Sequence, residues 1–360
     1  MKKRKVKIIP CLITILILLV LIISIGIYFI YKYSTSSVSK KSVEVTFTVN
    51  KNESFITIAD DLKKAGLIKS ELIYKVYIKL NQPKKLEKGI YILNKNMSLE
   101  RIIKTLDNGS NYNDNVRITF KEGINMRKVI KLITENTNIT ENEILDKLKD
   151  NNYLDTLIIK YWFITADIKN KNIYYSLEGY LYPDTYEFNK NTTIEKIFET
   201  MLDNTDNKLK KYETNLTNNK YTIHELLTLA SIVELESVGN DRNGVAGVFY
   251  NRLNNNWTLG SDVTTYYGIK VDMNERDLYK DEINAYNAYN TRNSKMAGKL
   301  PIGPICNPSI KSIEAVLNPT QSNYYYFVAD KNKKTYYSKT YNEHLNTIQK
   351  LKSQNLWYEY

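Results

Sequence analysis

Residues 8–30, IIPCLITILILLVLIISIGIYFI, carry no charged side chain over 23 positions. At 1.5 Å per residue a helix of that length crosses the roughly 30 Å of a bilayer's hydrocarbon core. The run therefore predicts a transmembrane helix. A cleaved signal peptide has an apolar core of only about 7 to 15 residues, followed by a small-residue cleavage site, and this run is longer. Five of the first seven residues, MKKRKVK, are basic, and charge is sparse just after the run. That asymmetry predicts a cytoplasmic tail over 1–7 and an extracytoplasmic chain from about Tyr33 onward. Membrane lipid is the expected partner of residues 8–30.

The chain has 360 residues, room for an anchor and about two domains. Cys11 falls in the apolar run and Cys306 stands alone in the exported part. No internal disulfide is available there, so packed cores must stabilise it, and Cys306 is expected to be a buried, inert thiol. Formal charge is +12, about +7 once the N-terminal cluster is set aside. Diffuse Lys and Arg among Asn and Tyr reads as ordinary surface, and an outside location argues against a nucleic-acid partner.

The pattern along the exported chain predicts an α+β protein. A Ser-rich linker occupies 31–42. Residues 43–110 read as one small α+β unit, with period-two alternation in VEVTFTV, two helical segments, a strand at Ile90–Leu93 and a helix after Ser98. From Val116 the strand, turn and helix order recurs at an offset of 71 residues, which predicts an internal repeat. Residues 111–177 form a second α+β segment and a connection of low information over 151–177. The denser motifs occupy a mixed α/β domain over 178–350, and 351–360 is a tail.

Within that domain, YTIHELLTLASIVELESVGN predicts a buried helix. Thr222 and Glu225 fit a capping box, Leu226 to Val233 are apolar on nearly all sides, and Gly239 suits a stop. The helix runs into Glu234 and Glu236. Positions two apart point about 200° from each other, so the two carboxylates cannot share one small site. Glu234 continues the stripe Ile223, Leu227, Ala230. Apolar surroundings and the negative end of the helix should both raise its pKa, which keeps a general acid protonated. The other reading is that one or both glutamates pair with Arg242 or Arg252.

Other chemistries lack their residues. HELLT has no second zinc histidine, and there is neither a phosphate loop nor a nucleophile elbow. No metal and no cofactor are expected. His224 reads as a surface or cap residue, and His344 is ambiguous. LEGYLYPDTYEF, 177–188, alternates acidic and aromatic residues in the manner of a sugar-binding wall, and Gly/Pro-rich turns in FYNRLNNNWTLGSDVTTYYGI and YNAYNTRNSKMAGKLPIGPICNPSIKSIEAVLNPT look like loops framing a site.

The ordered motifs LEGYLYPDTYEF, LASIVELES, GVFYNRL, LGSDVTTYYG, YNT, LPIGPICNPSIKSIEAVLNP and YYYFVAD together resemble the YceG-like, MltG-type endolytic murein transglycosylases, over about 43–350. The resemblance implies that 43–110 is a LysM-like module and that the partner is the glycan strand of peptidoglycan. It also implies Glu234, the first acid of Ile-Val-Glu-x-Glu, as the catalytic residue. The implied chemistry is cleavage of the MurNAc-β-1,4-GlcNAc bond with formation of a 1,6-anhydroMurNAc end, Glu234 acting first as acid and then as base. Glu178, Tyr182, Asp184, Tyr186, Arg252, Asp262, Thr264, Tyr289, Asn290 and Asn307 match motif positions and are candidates to line the glycan groove. Work beside the wall-synthesis machinery on nascent strands is also implied. The pattern departs from the family at Ile302, at Lys334–Tyr337, and in the longer loop from Arg292. Two alternatives are a muramidase using water, with Glu178 or Asp262 as second carboxylate, and a non-catalytic wall-binding anchor.

Overall fold

The structure is a computed structural model that describes residues 8–109, 115–239 and 241–357. The basic tail 1–7 and the last three residues of the C-terminal tail lie outside the described residues. The chain divides into two compact units, Met1–Asp114 and Asn115–Tyr360.

In the first unit, α1 spans Ile8–Thr35, and its Ile15–Thr35 stretch is long and apolar enough to cross a membrane. The helix continues five residues past the end of the apolar run, with the Thr35 hydroxyl donating back to the Tyr31 carbonyl at 2.9 Å. Then come β1 (Glu44–Val49), α2 (Ala59–Lys64), α3 (Glu71–Asn81), β2 (Gly89–Asn94) and α4 (Leu99–Asp107). The strands pair antiparallel, Glu44 opposite Asn94 and Val49 opposite Gly89. Alternation sends Phe47, Val49, Tyr91 and Leu93 inward onto Ile58, Leu62, Tyr74 and Ile102. Ser98 caps α4 by accepting from the Arg101 amide, as its position before the apolar stripe predicts.

The second unit runs β3 (Asn115–Thr119), α5 (Met126–Asn136), α6 (Glu141–Lys147), α7 (Asn151–Lys160), β4 (Thr185–Asn189), α8 (Ile194–Leu209), α9 (Glu213–Thr217), α10 (Ile223–Glu236), α11 (Arg242–Asn254), α12 (Asp262–Ile269), α13 (Lys280–Asn284), α14 (Ile310–Leu317), β5 (Tyr326–Ala329), β6 (Thr335–Ser338) and α15 (Tyr341–Ser353). It is mostly helical. Its two sheets each have two antiparallel strands, β3 with β4 and β5 with β6, which narrows the expected mixed α/β domain to helices with two small ribbons.

The division at 177/178 and the repeat both read differently in the structure. Because β3 pairs with β4, residues 115–177 belong to the same unit as 178–350. The repeat also does not extend to pairing: β1 meets its partner right after α3, whereas β3 meets β4 only after α5, α6 and α7. The 151–177 connection holds α7, whose Asp150 cap accepts from the Asn152 and Tyr153 amides, and a 3-10 turn at Ala166–Lys169. Asn and Tyr there are helix surface and core, not linker.

Helix α10 lies at the centre of this unit. Its capping box forms as expected, with the Thr222 hydroxyl accepting from the Glu225 amide at 3.2 Å and the Glu225 carboxylate from the Thr222 amide at 2.8 Å. Every residue from Leu226 to Val233 is buried, and α10 packs on α11, α12 and α14. Only its last turn emerges from the core.

Candidate active site

Glu234 and Glu236 leave that last turn in different directions and find different partners. Glu234 Oε2 accepts from the Ser309 amide at 2.9 Å, the Ser309 hydroxyl at 2.6 Å and the Ser312 hydroxyl at 2.6 Å. Its Oε1 accepts from Arg242 Nη2 at 3.3 Å, and Arg242 Nε in turn donates to the Ser312 hydroxyl at 3.0 Å. The pairing with Arg242, one of the two readings open from sequence, is therefore formed. The carboxylate is 6 % exposed.

Ser309 is the N-cap of α14, but its hydroxyl makes no bond to its own helix and turns to Glu234 instead. A carboxylate at a helix N-terminus gains from the dipole and from amides without helical partners. This reverses the expected titration. Burial pushes the Glu234 pKa up, but the Ser309 and Ser312 hydroxyls, the Ser309 amide and the Arg242 guanidinium outweigh it, and the net shift is downward. The α14 terminus and Arg242, far away in sequence or past the helix end, replace the expected apolar pocket.

Glu236 accepts from the Ser261 hydroxyl at 2.5 Å. Burial raises its pKa, against that hydrogen bond. Ser261 is itself fixed, its amide donating to the Thr291 hydroxyl at 3.1 Å and its carbonyl accepting from Thr264 at 2.7 Å.

A loop from the first part of the unit closes on Glu234. Gly123 donates its amide to the Asn307 carbonyl at 2.9 Å, and Asn307 returns a bond to the Ile124 carbonyl at 2.8 Å. Gly123 has φ +75°, and a Cβ there would stand 3.1 Å from Leu235 Cδ2 and 3.6 Å from Glu234 Cγ. The backbone angle favours glycine, and the approach leaves a larger side chain little room unless Leu235 shifts.

The YceG-like family model matches residues 47–350. The chain belongs to the YceG-like family. It is 36% identical over 312 residues to an endolytic murein transglycosylase of Bacillus subtilis (strain 168), covering 85% of this chain and 84% of that protein. It is 32% identical to an endolytic murein transglycosylase of Streptococcus pneumoniae (strain D39), covering 83% of this chain and 57% of that protein. A crystal structure of a YceG-like protein from Listeria monocytogenes superposes with a TM-score of 0.59 at 32% identity, covering 85% of this chain and 100% of the other.

In this YceG-like chain the remaining candidates separate into two groups. Tyr182, Asp184, Arg252 and Asp262 keep access to solvent. Asp262 forms an ion pair with Arg292. Glu178, Tyr186, Thr264, Tyr289, Asn290 and Asn307 are buried, so they hold the walls together and do not face a groove. Asn290 donates to the Glu282, Ile283 and Ala285 carbonyls, tying the α13 loop. Asn307 accepts from the Leu181 amide at 3.0 Å and donates to the Ile124 carbonyl at 3.1 Å. Tyr186 donates to the Tyr182 carbonyl at 2.7 Å, and Thr264 and Thr291 share a 2.8 Å bond behind Ser261.

Glu178 is 2 % exposed, and its oxygens accept from the Met126 amide and, at 3.0 Å, from the Tyr267 hydroxyl. Burial raises its pKa to about 8. His224, expected at the surface, is buried between the Tyr180 hydroxyl at 2.8 Å and the Ile302 carbonyl at 2.9 Å. Cys306 is buried, and burial pushes its thiol well up.

The residues that sequence reasoning missed are Ser309, Ser312, Ser261 and Gly123. One signal was present. In NPSIKSIEAVL, serines three apart at a helix start lie on one side of its first turn and can hold one oxygen together.

Proposed function

We propose that this chain is a membrane-anchored, endolytic peptidoglycan lytic transglycosylase, with α1 as a single-pass anchor, the N-terminus cytoplasmic and the Asn115–Tyr360 unit outside. The reading rests on one observation above all: a carboxylate carried out of a buried helix into a nest of two serines, one amide and one arginine. Family membership supports the same substrate.

Glu234 gives its proton to the glycosidic oxygen of the leaving GlcNAc, and the C1–O bond of MurNAc breaks. The carboxylate then takes the proton of the MurNAc C6 hydroxyl, O6 bonds to C1, and a 1,6-anhydro ring closes. Atoms balance without water, and attack from within the same sugar supplies the proximity that a second carboxylate or water must otherwise arrange. With its pKa held down, Glu234 is well suited to the second half. The first half needs a proton on it, which the bound strand favours by excluding water from the carboxylate.

The water-using alternative fits less well. Neither Glu178, bonded to the Met126 amide and the Tyr267 hydroxyl, nor Asp262, paired with Arg292, shares a hydrogen-bond partner with Glu234 among the described residues. The first unit, strand–helix–helix–strand around its own core, is proposed as the LysM-like module that grips the strand, and the wall-synthesis machinery as the neighbour that supplies nascent strands for trimming.

The test is mass spectrometry of purified glycan strands after incubation with the full chain in detergent. Anhydro ends from the wild type and none from Glu234→Gln are expected. Hydrated reducing ends would replace the reading with a muramidase, and intact strands with a well-folded wild type would leave the wall-binding anchor.

A further inference from the structure

We propose that Trp257 and the aromatic face of the β5–β6 hairpin form a sugar-stacking subsite that holds the glycan strand beside the two glutamates. The identity of the strand rests on the transglycosylase reading. The platform itself rests on three observations of its own.

The first is exposure. Trp257 is 41 % exposed and Tyr341 57 %, two aromatic rings turned to water on either side of Tyr326, and Tyr324 beside them in the chain is 36 % exposed. The second is rigidity. The Trp257 amide donates to the Arg252 carbonyl and its carbonyl accepts from the Gly298 amide, both at 2.8 Å. Its ring lies 4.8 Å from Tyr325 and 6.0 Å from Tyr326, and Tyr326 lies 5.9 Å from Tyr341. Rings already held in place lose little freedom when a ligand arrives.

The third is continuity with both carboxylates. Arg252 donates to the Tyr325 carbonyl at 2.7 Å and to the Leu259 carbonyl at 2.5 Å, and two residues beyond Leu259, Ser261 holds Glu236. At the other end Tyr324 stacks on Tyr337 at 5.7 Å, and the Tyr337 hydroxyl donates to Asp241 at 2.7 Å. Asp241 caps α11, whose first residue is Arg242, the partner of Glu234. Tyr337 lies opposite Phe327 and Tyr326 opposite Ser338, so each face of the hairpin is tied to the support of one glutamate, the Trp257 face to that of Glu236.

Its chemistry selects the occupant. Flat ring faces edged by hydroxyls match a β-linked N-acetylhexosamine, with an apolar C–H face and a polar rim. Arg252 lies 5.5 Å over the Tyr326 ring while it donates to the two carbonyls, so it braces the rings from behind.

The test titrates the full chain carrying Glu234→Gln, in detergent micelles, with the β-1,4-linked N-acetylglucosamine tetramer and with peptide-free glycan strands. Tryptophan emission is followed. Of the three tryptophans, Trp162 is engaged with Asp206 and Trp357 lies near the C-terminus. Oligosaccharide is expected to change the emission, and Trp257→Phe to remove that change. Trp257→Ala is expected to weaken binding about tenfold, the worth of roughly 1.4 kcal/mol. In the Glu234-intact chain Trp257→Ala should raise KM for long strands by a similar factor and leave kcat nearly unchanged. Should Trp257→Ala not fold, Trp257→Ser and Tyr341→Ser carry the same comparison, with Trp257→Phe expected to keep most of the affinity. Unaltered affinity and KM in a chain that still releases anhydro ends would overturn the subsite alone. No binding by any variant, together with no anhydro ends from the wild type, would overturn the transglycosylase reading and the subsite with it. An apolar protein segment that competes where sugars do not would also overturn it.

Discussion

Glu234 and Glu178 are both withdrawn from water, yet they titrate in opposite directions. Glu178 accepts from one amide and one phenol, and burial wins, raising its pKa to about 8. Glu234 accepts from an amide, two hydroxyls and a guanidinium, and there burial loses. Burial alone does not set the sign. Arg127 acts on Glu178 only through space, whereas Arg242 touches Glu234, so the number of donors and direct contact with a cation decide. Glu178 is thus built as a neutral strut joining α5 to α12, and Glu234 as a charged group at an emerging helix end.

The largest effect that sharpens this contrast is on rate. Glu234→Gln should lower the release of anhydro ends by roughly 10²- to 10⁴-fold, while Glu178→Gln should keep most activity at neutral pH. Equal losses in the two variants would erase the distinction.

Next comes stability against pH. A carboxyl whose folded pKa is raised contributes stability below its ordinary value of 4.5, and that contribution is lost as pH rises to about 8. Denaturant unfolding should show a decline on the order of 3–5 kcal/mol across that window. Glu178→Gln should flatten it.

Glu234 has the opposite sign. Its lowered pKa contributes stability above the ordinary value, lost as pH falls through the folded one. Ser312→Ala removes a bond to the charged form and should cost about 1.5–3 kcal/mol at neutral pH, a penalty that shrinks on acidification. The same change should raise the Glu234 pKa and carry the basic limb of the kcat/KM profile to higher pH. A penalty independent of pH would mean that the serine supports packing and not charge.

The smallest effect is that of Tyr267→Phe. It removes one hydrogen bond to Glu178, for about 1 kcal/mol of stability, and should raise the Glu178 pKa further. A fall in that pKa would show that the phenol does not favour the charged form.

Much of this was legible along the chain because it depends on neighbours in sequence. The apolar run became α1, Thr222 and Glu225 closed the predicted box, Ser98 capped α4, and the alternation of VEVTFTV put Phe47 and Val49 inside. The divergence of Glu234 from Glu236 followed from helix geometry alone. The burial of Glu178, Tyr289, Asn290 and Asn307 was not legible, because motif positions mark residues that matter without saying whether they face a ligand or a wall.

The sequence by itself thus determined which helix carries the carboxylates, where it starts and that its end leaves the core, since hydrogen bonds and periodicity within one helix are local. The tertiary structure alone decided the charge on Glu234. Its donors Ser309 and Ser312 lie 75 and 78 residues away, and only packing α14 against α10 brings that helix terminus to the carboxylate, reversing what an apolar pocket would have done.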